Sequence, residues 1–185
     1  MTRTALLIID LQNDYFEGGK FTLSKTDAAA DNAARILAAF RNAGLPVIHI
    51  RHEILRKPAP FFAPGTEGAQ IHASVVPAPN EPVITKNFPN SFRDTDLQIQ
   101  LQALGITDLV ITGAMSNFCI DATTRAAADL GYGCTVAHDA CAAPDLDFDG
   151  VAVPAVQVHA AFMAALAMGY GAILPSKDVI AGLSN

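Results

Sequence analysis

Charge is scarce in this sequence. Asp, Glu, Lys and Arg make up 16% of the 185 residues, and the 12 Lys and Arg nowhere form a run. The acids outnumber them and leave a net charge of −6. A chain with that balance and no basic stripe is not expected to partner nucleic acid or an anionic membrane. A small neutral or anionic substrate stays open, because a local site can oppose the net charge. Long apolar runs are missing as well, and none approaches the roughly 20 residues that span a bilayer. The opening stretch MTRTALLIID ends its short apolar run at Asp10 and has no small-residue cleavage site. It reads as a first strand, not an export signal, and a cytoplasmic location is expected. Cysteine is sparse: the odd set Cys119, Cys134 and Cys141 fits reduced thiols better than a disulfide framework, and its spacing matches no usual zinc site.

What is present is apolar. Hydrophobic residues make up 51% of the chain, enough for one domain, residues 1–185, with a sizeable core. Six short runs read as strands: 5–10, 46–51, 82–86, 108–114, 133–139 and 171–174. Most are apolar at successive positions, the pattern of strands buried on both faces of a parallel sheet. Helical spacing fills 26–44, 94–105, 116–131 and 153–169, each stretch ending at a glycine. The alternation predicts an α/β fold, a doubly wound sheet with helices on both faces. Residues 52–81 break the rhythm. They are Pro-rich and aperiodic, the character of a lid or binding loop.

In such sheets ligands bind beyond the carboxyl ends of the strands. Those ends deliver Asp10, then His49, Arg51 and His52, then Lys86, then the turn TGAMSNFC, then His138 and Asp139. Cys119 falls where a turn becomes a helix. Backbone N–H groups there favour an anion, which predicts a thiol of lowered pKa and a place to hold an oxyanion. A nucleophilic thiol needs a base, and a carboxylate such as Asp10 beside an ammonium such as Lys86 meets that need. Each residue also has a plainer reading. Free cysteine often packs as a small hydrophobe, which is how Cys134 and Cys141 are read. Asp10 alone reads equally as a cap and Lys86 as a surface lysine. Their joint arrival at three strand ends favours the chemical reading.

The stretches ALLIIDLQNDYF, VITKNFPNSF and ITGAMSNFCIDATTRAAADLGYGCTVAHDACAA, in that order, resemble the isochorismatase-like cysteine hydrolases. That superfamily includes nicotinamidases, N-carbamoylsarcosine amidase and ureidoacrylate amidohydrolase. The resemblance runs from about residue 4 to 175. It implies a three-layer α/β/α sandwich on a mainly parallel six-stranded sheet. It implies a catalytic triad of Asp10, Lys86 and Cys119. It also implies a cis peptide at Ala114–Met115, so that the Met115 and Cys119 N–H groups form an oxyanion hole. The implied reaction is hydrolysis of a small molecule's C–N bond, of amide, imide or ureido type, through a thioester on Cys119. Isochorismatase-type vinyl-ether hydrolysis is the alternative, as is a non-catalytic redox or ligand-binding member of the fold. Family members commonly form dimers or larger oligomers, so a homo-oligomer is expected.

One departure bears on cofactors. Nicotinamidases of the family carry an Asp-x-His metal pair after the second strand, where this chain has HIRHEILRKP. No metal and no cofactor is expected, although His49, His52 and His72 are nearby. His52 reads as substrate-facing or loop-packing. Phe16, Phe61, Phe62, Phe92 and Phe118 read as walls of an apolar pocket, with Phe61 and Phe62 equally suited to face a partner subunit. Gln12, Asn90 and Asn117 read as polar substrate contacts or loop pins. His159 lies within a helical pattern and reads as structural.

Overall fold

A computed structural model describes residues 3–183; the first two and last two positions of the expected 1–185 unit lie outside the described residues. Six parallel strands form the central sheet: β1 (Thr4–Ile9), β2 (Val47–His52), β3 (Val83–Lys86), β4 (Asp108–Ala114), β5 (Gly133–Ala142) and β8 (Ala172–Leu174). Their order across the sheet is β3-β2-β1-β4-β5-β8. Each matches an expected strand to within one residue at either end, except that β5 continues to Ala142.

The apolar runs of the strands have a direct cause. Successive side chains of a strand point to opposite faces. On β1, Leu6 and Ile8 enter the core under α1 (Thr26–Asn42) and α5 (Ser176–Gly182). Ala5, Leu7 and Ile9 enter the opposite core, under α2 (Leu97–Ala103), α3 (Asp121–Asp129) and α4 (Ala155–Ala167). Both faces are covered, so neither can be polar, and the three-layer α/β/α architecture follows. Among the described residues no helix is long and apolar enough to cross a membrane.

Three features depart from the expected elements, one of them the additional helix α5. The third helical stretch is divided, with a wide π-type turn, Ser116–Ile120, preceding α3. A two-stranded antiparallel ribbon, β6 (Leu146–Phe148) and β7 (Val151–Val153), lies between β5 and α4. Asp149 and Gly150 turn it with φ of 53° and 74°, the left-handed pair that a tight hairpin requires.

Gly113 of β4 pairs with Ile9 of β1, at the point where the register between β4 and β5 shifts. Its φ is 125°, and a Cβ built there would lie 1.9 Å from the Ile9 carbonyl oxygen. Only glycine fits, because the obstacle is main chain that cannot rotate away. Gly113→Ala is expected to lower stability by about 3 kcal/mol or more, read as the midpoint of urea unfolding. An unchanged midpoint would show that the two strands separate without penalty.

Candidate active site

Four adjacent strands, β3, β2, β1 and β4, end side by side, and each contributes one polar side chain. Lys86 closes β3, His52 closes β2, Asp10 follows β1 directly, and Cys119 lies in the turn after β4. His52 and Lys86 are register partners in the parallel ladder, so their side chains emerge together. Asp10 has a left-handed backbone, φ 53°, rare for a residue with a side chain and common at functional turns. Lys86 Nζ lies 2.7 Å from Asp10 Oδ2 and 3.2 Å from His52 Nδ1, and donates to the carbonyls of Phe88 and Pro89 at 3.2 and 3.3 Å. Cys119 Sγ is 3.7 Å from His52 Nδ1, which is itself 3.7 Å from Asp10 Oδ2. All four residues are buried, with Asp10 and Cys119 at 0% exposure.

Burial and charge oppose one another here. Burial pushes the Asp10 carboxyl up, but the Lys86 ammonium and then His52 outweigh it and hold the group below its ordinary range. Burial likewise disfavours the Lys86 cation, and Asp10 with Cys119 more than restores it. The pair is therefore ionised. Besides Lys86, the Asp10 carboxylate has the Cys119 thiol and His52 as its neighbours among the described residues. The thiol differs from expectation. Burial first, and the Asp10 carboxylate second, push Cys119 well above the ordinary thiol range, and Lys86 offsets only part of this. A turn N–H environment does not prevail over a dry site with an adjacent anion. Burial also raises Cys141, to about 12, and Cys134, to about 11. Iodoacetamide should therefore leave all three cysteines of the native protein largely unmodified below pH 8, as mapped by peptide mass spectrometry. Fast alkylation of Cys119 near pH 6 would show a resting thiolate instead.

The residues after Asp10 fasten the loop that covers the cluster. Gln12 is fully buried; its Oε1 accepts from the His52 N–H at 2.7 Å, and its Nε2 donates to the His52 and Ala69 carbonyls at 2.9 Å. Of its two readings, Gln12 takes that of a loop pin, because an amide matches backbone donor and acceptor together. Asn13 Nδ2 donates to the Glu67 carbonyl and carboxylate, and Asp14 Oδ2 accepts from the Phe62 N–H at 2.6 Å. Phe62 is buried within the chain, 6.3 Å from the His52 ring and 4.5 Å from that of Tyr15. It is therefore a wall beside the cluster and not a partner-facing residue. Phe61, partly buried, packs on Phe21, Phe62 and Tyr15.

The other expected contacts divide. Met115 is buried at the turn, and the Ala114–Met115 peptide is cis. Phe16 stacks on His72 with ring centroids 3.6 Å apart. Asn117 has a buried Oδ1 without a hydrogen bond among the described residues, so it keeps its candidacy for a polar contact. Asn90 Oδ1 accepts from the Phe92 N–H and pins its own turn. Phe92 stacks on Tyr132 and packs against the core that holds Cys119 and α3, and Phe118, next to Cys119 in the chain, is 45% exposed. Of the other histidines, His49 pairs with Glu81 at 2.9 Å and His72 Nδ1 accepts from the Ser74 N–H. His52 is the residue that sequence reasoning undervalued: it touches both the thiol and the ammonium. Asp10, His52 and Cys119 do offer ligand-type atoms within 4.8 Å of one another. The Lys86 ammonium already engages two of the three, and a metal cation would meet a buried like charge. The donor set suits proton transfer better than metal binding.

Comparison with known proteins identifies the family. The isochorismatase domain model matches residues 4–167. The isochorismatase family protein YddQ of Bacillus subtilis (strain 168) is 53% identical over 163 residues, 88% of this chain and 91% of that protein. Ureidoacrylate amidohydrolase RutB of Variovorax paradoxus (strain S110) is 27% identical over 173 residues, covering 74% of this chain and 68% of its own. A crystal structure of an isochorismatase-type protein from Oleispira antarctica superposes with a TM-score of 0.95 at 55% identity, over 98% of this chain and 97% of that one. With a matching domain model over most of its length and a relative sharing more than half its residues, the chain belongs to the isochorismatase family of hydrolases.

Proposed function

We propose that the protein hydrolyses a C–N bond of amide, imide or ureido type in a small molecule, through a thioester on Cys119. The observation that carries this reading is the buried thiol set beside an ionised carboxylate that is itself held by an ammonium. A relative named for amidohydrolysis supports the bond type.

The thiol is protonated at rest, so its proton leaves as the sulfur attacks. Asp10 accepts that proton while the C–S bond forms and the carbonyl electrons move to oxygen. The N–H groups of Met115 and Cys119 receive the oxyanion. Collapse breaks the C–N bond, and Asp10 returns the proton to the departing nitrogen. Water then attacks the thioester and gives a proton to Asp10. The C–S bond breaks, and the sulfur recovers its proton. Lys86 keeps Asp10 ionised between turnovers. His52 positions the thiol and the ammonium, since its Nδ1 lies within reach of both.

The test is a rapid quench with a panel of small amides and ureido compounds, followed by mass spectrometry of the Cys119 peptide. An adduct of acyl mass on Cys119 is expected. Turnover of these compounds without an adduct, persisting in Cys119→Ala, would overturn the thioester route; turnover of an added vinyl ether alone, persisting in Cys119→Ala, would favour vinyl-ether cleavage. No turnover of any compound would favour a non-catalytic member. For His52, replacement by alanine is expected to lower kcat by about 10-fold to 100-fold with a smaller change in KM, and to move the acid limb of the pH–rate profile. His52→Asn, which keeps a hydrogen-bonding side chain, should retain more activity. A uniform loss with an unmoved pH profile would make His52 merely structural.

A further inference from the structure

A second cavity lies away from the Cys119 cluster, between α1 and α4 at the carboxyl end of β5. Its volume is about 330 Å³, and none of Asp10, His52, Lys86 or Cys119 lines it. Alanines of α1, β5 and α4 form much of its wall, and their small side chains are what leave the space. Lys25, just before α1, His138 of β5 and His159 of α4 converge on it; Asn32 also lines it, but its Nδ2 donates to the Asp139 carbonyl at 2.6 Å. Asp139 also borders the space, but its carboxylate accepts from the Ser176 N–H and hydroxyl at 2.7 and 2.9 Å and is occupied there. An acidic chain has thus gathered an ammonium and two imidazoles around one apolar-walled space.

His159 reports the local field. Burial pushes its pKa down, and the nearby His138 and Lys25 push it further. The ring is also fixed. Ser116 donates to the Ala142 carbonyl at 3.1 Å and lies 2.8 Å from His159 Nδ1. One hydroxyl has one proton, so His159 Nδ1–H is the donor in that contact and Nε2 is the nitrogen left to take up a proton. Space of this size, apolar walls and a few convergent polar groups are the features of a small-ligand site. The carboxyl end of a parallel sheet is where such sites occur.

We propose that this cavity binds a small monocarboxylate with an apolar body, its carboxylate held by Lys25, His138 and His159. The probe is sodium benzoate, titrated into the full chain and followed by NMR of the histidine ring signals. Saturable shifts of His138 and His159, with His52 unmoved, are expected. Benzyl alcohol, which has the ring without the charge, should produce none. Lys25 is exposed, so Lys25→Gln can be made without disturbing the core. With His138→Gln it should weaken benzoate binding about tenfold or more. Absence of saturable shifts, shifts confined to His52, or equal binding of benzyl alcohol would each overturn the proposal. The readout is binding alone, so it stands or falls separately from the reaction assigned to Cys119.

Discussion

Asp10→Asn is expected to lower kcat by about 10³-fold while Cys119 stays in place. Asparagine has the same shape, but it can neither take the thiol proton nor return it to the leaving nitrogen. The change also strands the Lys86 ammonium in a site with 1% exposure. Removing one member of a buried pair costs about 3–5 kcal/mol of stability, partly relieved if the lysine gives up its proton. Activity and folding are separable by the double variant Asp10→Asn, Lys86→Met. It removes both charges, so thermal unfolding should recover most of the lost stability while turnover stays absent. Turnover by either variant within tenfold of the parent would remove Asp10 from the proton path.

Lys86→Met should be nearly as damaging, for an electrostatic reason. Methionine fills a similar volume without charge, and burial then acts on Asp10 with its largest opposing influence removed, only His52 and the Cys119 thiol remaining against it. The carboxyl pKa rises above its ordinary value, so at neutral pH part of the enzyme holds Asp10 protonated and unable to act as base. A fall in kcat of about 10²-fold to 10³-fold at pH 7 is expected, with activity returning as pH is raised. The parent shows the opposite sign. Its Asp10 lies below the ordinary carboxyl range, so the stability contributed by the pair is present above pH 4 and is lost as pH falls through the folded-state pKa. Lys86 lies above its ordinary range, so its share is complete at neutral pH and disappears only in strong alkali. A Lys86→Met profile that merely scales the parent curve down would deny Lys86 this role.

Much of this was legible in the sequence because the signals are local. A strand covered on both faces is largely apolar at successive positions, and β1 and β4 announce themselves that way, whereas the edge strand β3 alternates exposed and buried residues. Asp10, Lys86 and Cys119 stand at the ends of such runs, where a parallel sheet puts its chemistry. The place of His52 was harder to read. Its contacts depend on the order β3-β2-β1-β4, which sets the end of β2 between the lysine and the aspartate. Nothing along the chain encodes that adjacency. The raised Cys119 pKa was missed for a related reason: helix-start reasoning counts nearby N–H groups, whereas burial and the Asp10 carboxylate come from residues distant in sequence. Gln12 and Asn90 looked like ligand contacts because amides are adaptable, and the structure gives them backbone partners instead. The β6–β7 ribbon was readable after all, since Asp149-Gly150 is a strong hairpin pair, but its strands are only three residues long.

The fastening of the covering loop bears on how members of this fold diverge. Gln12, Asn13 and Asp14 grip main-chain atoms of His52, Phe62, Glu67 and Ala69, and only the Glu67 carboxylate is also held by its side chain. At Gly68 a Cβ would press directly on the Asp14 carboxylate that grips Phe62, so a side chain there would disturb the clamp itself. A clamp that reads backbone leaves the rest of the loop free to change its side chains while keeping its path. New pocket linings can therefore be sampled by substitution alone, with the reacting groups undisturbed beneath them. One fixed reaction centre becomes a chassis for many substrates.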